Sequence, residues 1–290
     1  MNEGNRSVES PTLPVARTTL FVPADRPDRY AKALGSGADI VCVDLEDAVA
    51  CVNKAAARDA VAGFFTIAAK PEVRRALRIN SLSTLDGLKD LLHLETCAIR
   101  PDAILLPKAC CSGDIRALAA VMDEIDLHCP IIAIVETAEG LENASEIAMA
   151  PHVAAICFGS ADYSAETGSG MHWDALHYAR GRIVQAAARA GILALDGAWL
   201  AIADMDGLAE ESRRLPGMGF DGRVVIHPSQ VAAVHEAFRP DDRDVERARK
   251  IVLAAEGQGG AAVSVDGHMV DRPVIAWARR LLARASPGVG

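Results

Sequence analysis

Short apolar runs alternate with longer amphipathic stretches along most of the chain. The short runs are rich in Val, Ile and Leu and end at polar, Gly or Pro residues, which is typical of strands buried on both faces of a parallel sheet. Eight runs are predicted as strands: Thr18–Val22, Ile40–Leu45, Ala76–Ile79, Ala103–Leu106, Ile131–Val135, Ala154–Phe158, Ile192–Ala194 and Arg223–Ile226. The stretches between them predict helices over Asp28–Leu34, Lys54–Phe64, Thr84–Leu92, Asp114–Ile125, Gly140–Met149, Trp173–Ala190 and Met205–Met218.

A count of about eight strand–helix units favours a closed (β/α)8 TIM barrel over an open, doubly wound α/β sheet. The turn after the first strand reads FVPADRPDRY and contains no GxGxxG motif. A dinucleotide-binding crevice of the Rossmann type is therefore not expected. We predict that residues 17–238 form the catalytic barrel.

The two ends of the chain differ from this pattern. Residues 1–16 are polar, lack the apolar core of a signal peptide, and predict a disordered leader. Residues 239–290 predict a charged helix, a Gly-rich linker, a hairpin around Asp266-Gly267 and a closing helix. We expect this C-terminal segment to serve as a helical lid over the barrel mouth or as an oligomerisation segment against a neighbouring subunit.

Composition narrows the functional classes. The 290 residues carry a formal net charge of −9 and are 50% hydrophobic, which argues against nucleic acid as a partner. No apolar run is long enough to cross a membrane. The seven cysteines are odd in number and include no CxxC pair, so we interpret them as reduced, mostly buried thiols of a cytoplasmic protein rather than as a zinc or catalytic site.

Polar side chains cluster where the predicted strands end. The active site of such a barrel lies at the carboxyl ends of its strands. The residues there are mostly carboxylates with a few cations: Asp44, Glu46, Asp47, Arg78, Asn80, Lys108, Glu136, Asp162, Asp196 and His227. Crowded carboxylates repel one another unless a cation intervenes, and Mg²⁺ is usually held by one or two carboxylates, water and substrate oxygens.

Glu136 and Asp162 form the best metal-binding pair, because they follow adjacent predicted strands. Glu136 stands where a buried strand turns polar, and Asp162 is predicted in a loop after Gly159. The alternative is that Glu136 and Glu139 are charges favoured at a helix N-terminus and that Asp162 caps a helix. The pattern alone leaves both interpretations open.

Two cations stand among these carboxylates. Arg78 emerges from an apolar strand, and its burial without a partner would be costly. It suits a bidentate contact with a carboxylate or with developing enolate charge, and an ion pair with Asp44 or Glu46 does not exclude that role. Lys108 more plausibly neutralises neighbouring carboxylates than forms a Schiff base.

Other polar residues are weaker candidates. Arg26 and Arg29 follow the first strand and are candidate contacts for phosphate or pantetheine, although loop arginines are as often solvated. His227 is interpreted as a structural rim residue rather than as a general base. The histidines have no HxH or HExxH spacing, so a zinc site is not supported.

Taken together, these motifs resemble the citrate lyase β-subunit-like family of CoA-ester lyases, within the HpcH/HpaI aldolase superfamily, which also includes malyl-CoA and citramalyl-CoA lyases and malyl-CoA thioesterases. The resemblance runs in order from about residue 17 to residue 284. The segments that carry it are RTTLFVPADRPDRYAKA, ADIVCVDLEDAV, LRIN, ILLPKA, IAIVETAEGLENASEIA, ICFGSADYSAETG, LALDGAWLAIADMDGL, GFDGRVVIHPSQV and DGHMVDRPVIAWARRLL.

The resemblance implies a Mg²⁺-dependent enzyme acting on coenzyme A esters, commonly a homotrimer or higher oligomer. It assigns the metal ligands to Glu136 and Asp162, the substrate arginine to Arg78, and a lid aspartate contributed by a neighbouring subunit to Asp271. With Arg78, Asp271 and Glu136 as catalytic residues, we expect Asp44, Glu46 and Lys108 to line the substrate site and Arg26 to contact CoA. Ala161 stands where members often carry an acidic residue, which bears on the preferred acyl group.

The expected reaction is cleavage or condensation of a 3-hydroxy-carboxyacyl-CoA, such as citryl-CoA, malyl-CoA or citramalyl-CoA, into an acyl-CoA and a keto acid. Three alternatives stay open: a malyl-CoA-type thioesterase, a metal-dependent aldolase acting on free hydroxy-keto acids, and a non-catalytic barrel subunit of a lyase complex with an acyl-carrier protein as partner.

Overall fold

The computed structural model describes residues 12–97, 99–256 and 263–285. The chain divides into two compact units between Ala237 and Phe238. None of the helices in these described ranges has the length and hydropathy of a membrane-spanning segment. The predicted Gly-rich linker falls largely on residues 257–262, outside the described part of the chain.

The first unit is a closed barrel of eight parallel strands in sequential order, each hydrogen-bonded to the next and the last to the first. This confirms the predicted (β/α)8 barrel. The strands are β1 Thr18–Pro23, β2 Ile40–Asp44, β3 Arg74–Arg78, β4 Ala103–Leu106, β5 Ile131–Val135, β6 Val153–Phe158, β7 Leu193–Asp196 and β8 Gly222–Val225.

Ten helices surround the barrel in the described residues of this unit. They are α1 Tyr30–Leu34, α2 Lys54–Thr66, α3 Leu85–Thr96, α4 Ser112–Glu124, α5 Ala138–Glu142, α6 Ala144–Ala148, α7 Ser160–Thr167, α8 Trp173–Ala190, α9 Met205–Met218 and α10 Ser229–Ala237, and short 3-10 turns span Pro27–Arg29 and Cys51–Asn53.

Alternate residues of each strand fill the barrel interior. Its core cluster is composed of small and aliphatic side chains, among them Cys42, Ala76, Ile134 and Cys157. Because side chains alternate between the two faces of a strand, the residue two positions further along each strand enters the next layer towards the open, carboxyl-terminal end. The polar residues of the site lie beyond the core cluster, towards that end.

The structure corrects three local predictions. The helix predicted over Gly140–Met149 is interrupted at Asn143, which ends α5 and precedes α6; its Nδ2 donates to the carbonyl of Cys110 at 2.8 Å. Asp162 lies in the first turn of helix α7 rather than in a loop. Leu13 and Ala16, which fall within the predicted leader 1–16, pack against the barrel core; residues 1–11 lie outside the described ranges.

The second unit has its own small hydrophobic core. It consists of α11 Asp242–Glu256, the antiparallel hairpin of β9 Val263–Val265 and β10 His268–Val270, and α12 Arg272–Ala285. The predicted charged helix, hairpin and closing helix are thus present. Ala248 and Ile251 of α11 pack with Ile275 and Ala278 of α12. The roles expected for this segment as a lid or in oligomerisation stay predictions.

Candidate active site

Three polar side chains stand at the carboxyl-terminal ends of barrel strands, each two positions beyond a residue of the interior core. Asp44 follows Cys42 by two residues, Arg78 follows Ala76 by two, and Glu136 follows Ile134 by two. Asp44 and Arg78 are also direct partners in the β2–β3 ladder. The carboxyl-terminal ends of β2, β3 and β5 therefore carry a charged layer directly above an apolar core.

Arg78 is held by two carboxylates. Its Nε and one terminal nitrogen donate to the two oxygens of Asp44 at 2.7 and 2.6 Å, and its other terminal nitrogen lies 3.0 Å from Oε2 of Glu46. Burial alone would lower the pKa of Arg78, but the neighbouring Asp44 and Glu46 outweigh this effect and raise the pKa. Arg78 is consequently a permanent cation with a fixed orientation, and the ring of Phe21 lies 4.5 Å from its guanidinium carbon.

Asp44 and Glu46, predicted as substrate contacts, are paired with the cations of the site, and their contact with substrate stays a prediction. Asp44 is completely buried and, besides Arg78, accepts the backbone N–H groups of Glu46 and Ala48 at 2.8 and 3.3 Å. Glu46 bridges Arg78 to Lys108, whose Nζ lies 2.7 Å from Oε1 of Glu46. Both carboxylates therefore orient the cations of the site.

Lys108 connects the group formed by Asp44, Glu46 and Arg78 to Glu136. Its backbone N–H donates to Oε1 of Glu136 at 2.9 Å, and its φ of 53° lies in the left-handed region. Burial lowers the pKa of Lys108, but Glu46 and the other nearby carboxylates outweigh this effect, so that the pKa lies above its usual value. Because a Schiff-base lysine must react as the free amine, this environment favours the charge-neutralising role over Schiff-base chemistry.

Glu136 is a buried carboxylate, with only 3% of its surface exposed. Burial, followed by the charges of Glu46 and Asp162, raises the pKa of Glu136 to about 8. A Cβ atom on Gly159, at the end of β6, would lie 2.3 Å from Oε2 of Glu136. The absence of a side chain at Gly159 thus makes room for the carboxylate of Glu136.

Asp162 approaches Glu136 from the neighbouring strand–helix unit. Val135 pairs with Phe158 in the β5–β6 ladder, and helix α7 begins two residues after Phe158 with Asp162 in its first turn. A carboxylate is favoured at that helix end by the helix dipole. The N-terminal capping position belongs to Gly159, so Asp162 is not the helix cap considered from the sequence.

We name the six charged residues Asp44, Glu46, Arg78, Lys108, Glu136 and Asp162 the rim cluster. With every group ionised, two cations and four carboxylates leave a charge of −2. The described residues contain no group of three or more His, Cys, Asp or Glu side chains able to hold a metal ion by themselves. The cluster fits a hard divalent ion that takes two carboxylate ligands and completes its coordination with water and substrate oxygens.

A cavity of 270 Å³ lies beside the ends of β1 and β8. Arg29, Lys32 and His227 are among the residues that line it. Arg26, the predicted CoA contact, forms an exposed ion pair with Asp28 at 2.8 Å. His227 accepts the backbone N–H of Ser229 through Nδ1, in agreement with a structural role at the rim.

Asp271 belongs to the second unit, between β10 and α12. Its Oδ1 accepts the backbone N–H of Val274 at 3.4 Å, and its carbonyl accepts that of Ile275 at 3.0 Å. The residue thus stands at the N-terminus of α12, and its assignment to catalysis stays a prediction.

Sequence reasoning overlooked the residues that support the rim cluster. Lys54 is buried at the start of α2, in an Ala-rich helical pattern that does not indicate a buried lysine. Asn143 interrupts the single helix predicted over Gly140–Met149. Gly159 was recognised as small, but its contact with Glu136 requires three-dimensional information. The available signals were a lysine on the apolar face of a helix and an asparagine in the middle of one.

Comparison with known proteins agrees with this architecture. The chain matches the model of the HpcH/HpaI aldolase/citrate lyase family over residues 17–228. A citrate lyase subunit beta-like protein from Mycobacterium tuberculosis is 39% identical over 273 residues, which cover 92% of this chain and 94% of that protein. A (3S)-malyl-CoA thioesterase from Cereibacter sphaeroides is 34% identical over 274 residues, covering 93% and 94% of the two chains.

The fold comparison leads to the same group of proteins. The crystal structure of the protein CitE from Mycobacterium tuberculosis, in complex with magnesium, acetoacetate and coenzyme A, matches with a TM-score of 0.78 and 38% identity. The match covers 93% of this chain and 98% of that one. By its sequence along most of its length and by its closed barrel, the chain belongs to the HpcH/HpaI aldolase/citrate lyase family.

Proposed function

We propose that the chain is a Mg²⁺-dependent C–C lyase that cleaves, or in reverse condenses, a 3-hydroxy-carboxyacyl-CoA such as citryl-CoA, malyl-CoA or citramalyl-CoA. The products of cleavage would be an acyl-CoA and a keto acid. The observation that carries this proposal is the linkage of the fixed guanidinium of Arg78 to the buried carboxylate of Glu136: Glu46 contacts both Arg78 and Lys108, and the backbone N–H of Lys108 donates to Glu136. The solved relative with magnesium, acetoacetate and coenzyme A supports it.

Glu136 and Asp162 would hold the magnesium ion. Their mutual repulsion, which contributes to the raised pKa of Glu136, is relieved by a cation between them. When bound, Mg²⁺ would supply Lewis-acid polarisation of the substrate oxygen that becomes a carbonyl on cleavage.

Arg78 would stabilise the negative charge that develops on the thioester oxygen of the acyl-CoA enolate. A guanidinium carries five N–H groups; two of those of Arg78 donate to Asp44, and its other terminal nitrogen forms an ion pair with Glu46. The remaining N–H groups would meet the substrate oxygen. Because Asp44 and Glu46 orient the cation in advance, little reorganisation is needed as the charge forms.

Coenzyme A would approach along the side of the barrel formed by β1 and β8. Arg29 and Lys32 line the cavity there, and Arg26 precedes them in the segment between β1 and α1. These cations suit the phosphate groups of coenzyme A. The proposed role of Arg26 requires it to exchange its exposed partner Asp28 for a phosphate, which is inexpensive because exposed ion pairs contribute little.

Asp271 of the partner subunit would exchange the proton at the enolate carbon in a homotrimer or a higher oligomer. This part of the proposal is supported by the family resemblance. If water reached the intermediate, the same carboxylate would orient it for hydrolysis of the thioester.

The experiment that tests the lyase is a panel of 3-hydroxy-carboxyacyl-CoA esters assayed with Mg²⁺ and with EDTA. We expect a keto acid to be released from at least one ester with Mg²⁺ and none with EDTA. Replacing Glu136 or Asp162 with Ala should abolish the activity. Cleavage that neither substitution diminishes would refute the metal assignment.

The malyl-CoA thioesterase is the second candidate, favoured by the relatives that carry that name. The two activities differ in products, because hydrolysis releases a free thiol and the intact hydroxy acid whereas cleavage releases a keto acid. A CoA titration distinguishes the aldolase acting on free hydroxy-keto acids, which would not respond to CoA. Copurification of an acyl-carrier protein, with no activity on free acyl-CoA, would instead indicate a lyase-complex subunit.

A further inference from the structure

Lys54 is a buried lysine at the start of α2, with 8% of its surface exposed. Its Nζ donates to the carbonyls of Leu45 and Glu46, each at 2.6 Å, and to Oδ1 of Asn80 at 2.7 Å. An ammonium group has three donors, so these contacts use all of them. Lys54 therefore has no donor left for a substrate.

The three acceptors lie at the ends of two neighbouring strands. Leu45 and Glu46 directly follow β2, and Asn80 follows Arg78, the last residue of β3, by two positions. Lys54 thus ties together the two segments that supply the carboxylates around Arg78 and Arg78 itself. Its own contacts are with the backbone of Glu46, while the side chain of Glu46 contacts Arg78.

Asn80 is fixed in turn from α3. Its backbone N–H and its Nδ2 both donate to Oδ2 of Asp90 at 2.7 Å. The other oxygen of Asp90 accepts from Nε of Arg58 at 2.7 Å, on the same helix as Lys54. The acceptor side of the Lys54 contact is therefore rigid.

A buried ammonium is a costly way to join two loops. Within the described chain no carboxylate forms an ion pair with Lys54, so its charge is balanced by oxygen dipoles alone. The cost of removing a charge from water is met here by three short bonds. Their acceptors are Leu45 and Glu46, next to Asp44, and Asn80, two residues beyond Arg78. Because its contacts are confined to the ends of β2 and β3, Lys54 acts on the surroundings of Arg78 rather than on the stability of the barrel in general.

We propose that Lys54 is a positioning residue that orients Arg78 by fixing the backbone of Glu46 against the end of β3. The kinetic part of its test rests on the proposed lyase function; the spectroscopic part does not. Removal of the ammonium would let the Glu46 segment shift, and Arg78 would lose the alignment of one of its two carboxylate partners.

The first test is a double-mutant cycle in the full-length enzyme. Lys54→Met should lower kcat by about 10- to 100-fold, the scale expected when a reacting group is misplaced by about 1 Å, with KM changed less. In an Arg78→Lys background, the same substitution should have less than a threefold further effect, because the group it orients is already altered. Equal losses in both backgrounds would overturn the proposal.

Lys89→Met is the matched control. Lys89 is an exposed lysine on α3, and its substitution should leave kcat within about twofold of the unchanged enzyme. A comparable loss in the Lys89 variant would also contradict a specific role for Lys54.

The second test reads Arg78 directly, by NMR of protein labelled with ¹⁵N-arginine. The Nε–H of Arg78, bonded to Asp44, should shift and exchange faster with solvent in Lys54→Met than in Lys89→Met. An unchanged Arg78 signal would overturn the proposal whether or not the chain proves to be a lyase. If Lys54→Met does not fold, Lys54→Gln, which keeps a polar end of shorter reach, is measured in both tests with the same criteria.

Discussion

The backbone N–H of Lys108 donates to Oε1 of Glu136 at 2.9 Å from a left-handed conformation with φ of 53°. A residue with a Cβ atom pays about 1–2 kcal/mol for that conformation. The loop after β4 is therefore held in an unfavourable geometry that directs an N–H group at the buried carboxylate of Glu136.

This geometry predicts an inverted order of Gly and Ala at position 108. Lys108→Gly and Lys108→Ala both keep the N–H and lose the ammonium, but only Ala keeps the steric penalty. We expect the Gly variant to be more stable by about 1 kcal/mol, measured by urea unfolding. At exposed Lys89 in helix α3, Ala should instead exceed Gly by about 1 kcal/mol. An Ala variant at 108 as stable as the Gly variant would contradict the assigned strain.

The buried carboxylate of Glu136 predicts a pH dependence of stability. Its pKa of about 8 in the fold exceeds the value near 4.5 of the unfolded chain, so the folded protein retains a proton that the unfolded chain releases. Without Mg²⁺, the free energy of unfolding should fall as the pH rises from about 4.5 to about 8, by roughly 1.4 kcal/mol for each unit of pKa difference.

Glu136→Gln should remove most of this slope, because the amide does not ionise, whereas Glu139→Gln at an exposed position should preserve it. Mg²⁺ should bind more tightly as the pH rises towards 8, since it requires the ionised carboxylate. Chemical denaturation across this pH range, with and without Mg²⁺, measures both effects. A slope that persists in Glu136→Gln would assign the titration to another group.

Arg78→Lys should separate charge from geometry. The lysine keeps a positive charge but cannot make the bidentate contact with Asp44. We expect a loss of about 100- to 1000-fold in kcat, the scale of removing one oxyanion donor, in assays of acyl-CoA cleavage. Arg116→Lys, on the exposed face of α4, is the control and should leave kcat unchanged. Full activity of Arg78→Lys would show that the fork geometry is dispensable.

Gly159→Ala should weaken metal binding. A Cβ atom there would lie 2.3 Å from Oε2 of Glu136, so Glu136 or the start of α7 must shift. We expect Mg²⁺ affinity, measured by calorimetry, to fall by about 10- to 100-fold. Gly181→Ala in α8, where an added Cβ meets nothing within 4 Å, should bind Mg²⁺ normally and gain about 0.5–1 kcal/mol of stability. Normal Mg²⁺ affinity in Gly159→Ala would place the metal ligands elsewhere.

The barrel was predictable from sequence because its strands are apolar throughout. Such runs are recognised locally, without knowledge of their partners, and all eight have counterparts in the structure. The charged rim was predictable for a related reason, since Asp44, Arg78 and Glu136 end these runs. Asn143 was not predictable, because its break in the helix accompanies a bond to Cys110, a residue 33 positions away.

The functions of individual rim residues were harder to derive than their location. Asp44 and Glu46 were expected to line the substrate site; the structure shows their pairing with Arg78 and Lys108, and their contact with substrate stays a prediction. The helix around Asp162 is short and contains few apolar residues, so its sequence lacks the periodicity that indicates a helix. The support given by Lys54 depends on three acceptors from two separate segments, a relationship that no local pattern contains.

The direct pairing of Asp44 with Arg78 across β2 and β3 makes strand alignment part of the chemistry. Deleting one residue of β3 before Arg78 would turn Arg78 towards the surrounding helices and place Ile79 where Arg78 now stands. A two-residue deletion would keep the side chain of Arg78 facing the barrel interior but would move it to the position of Ala76, deeper in the barrel. Insertions and deletions should therefore be excluded from the strand that carries Arg78.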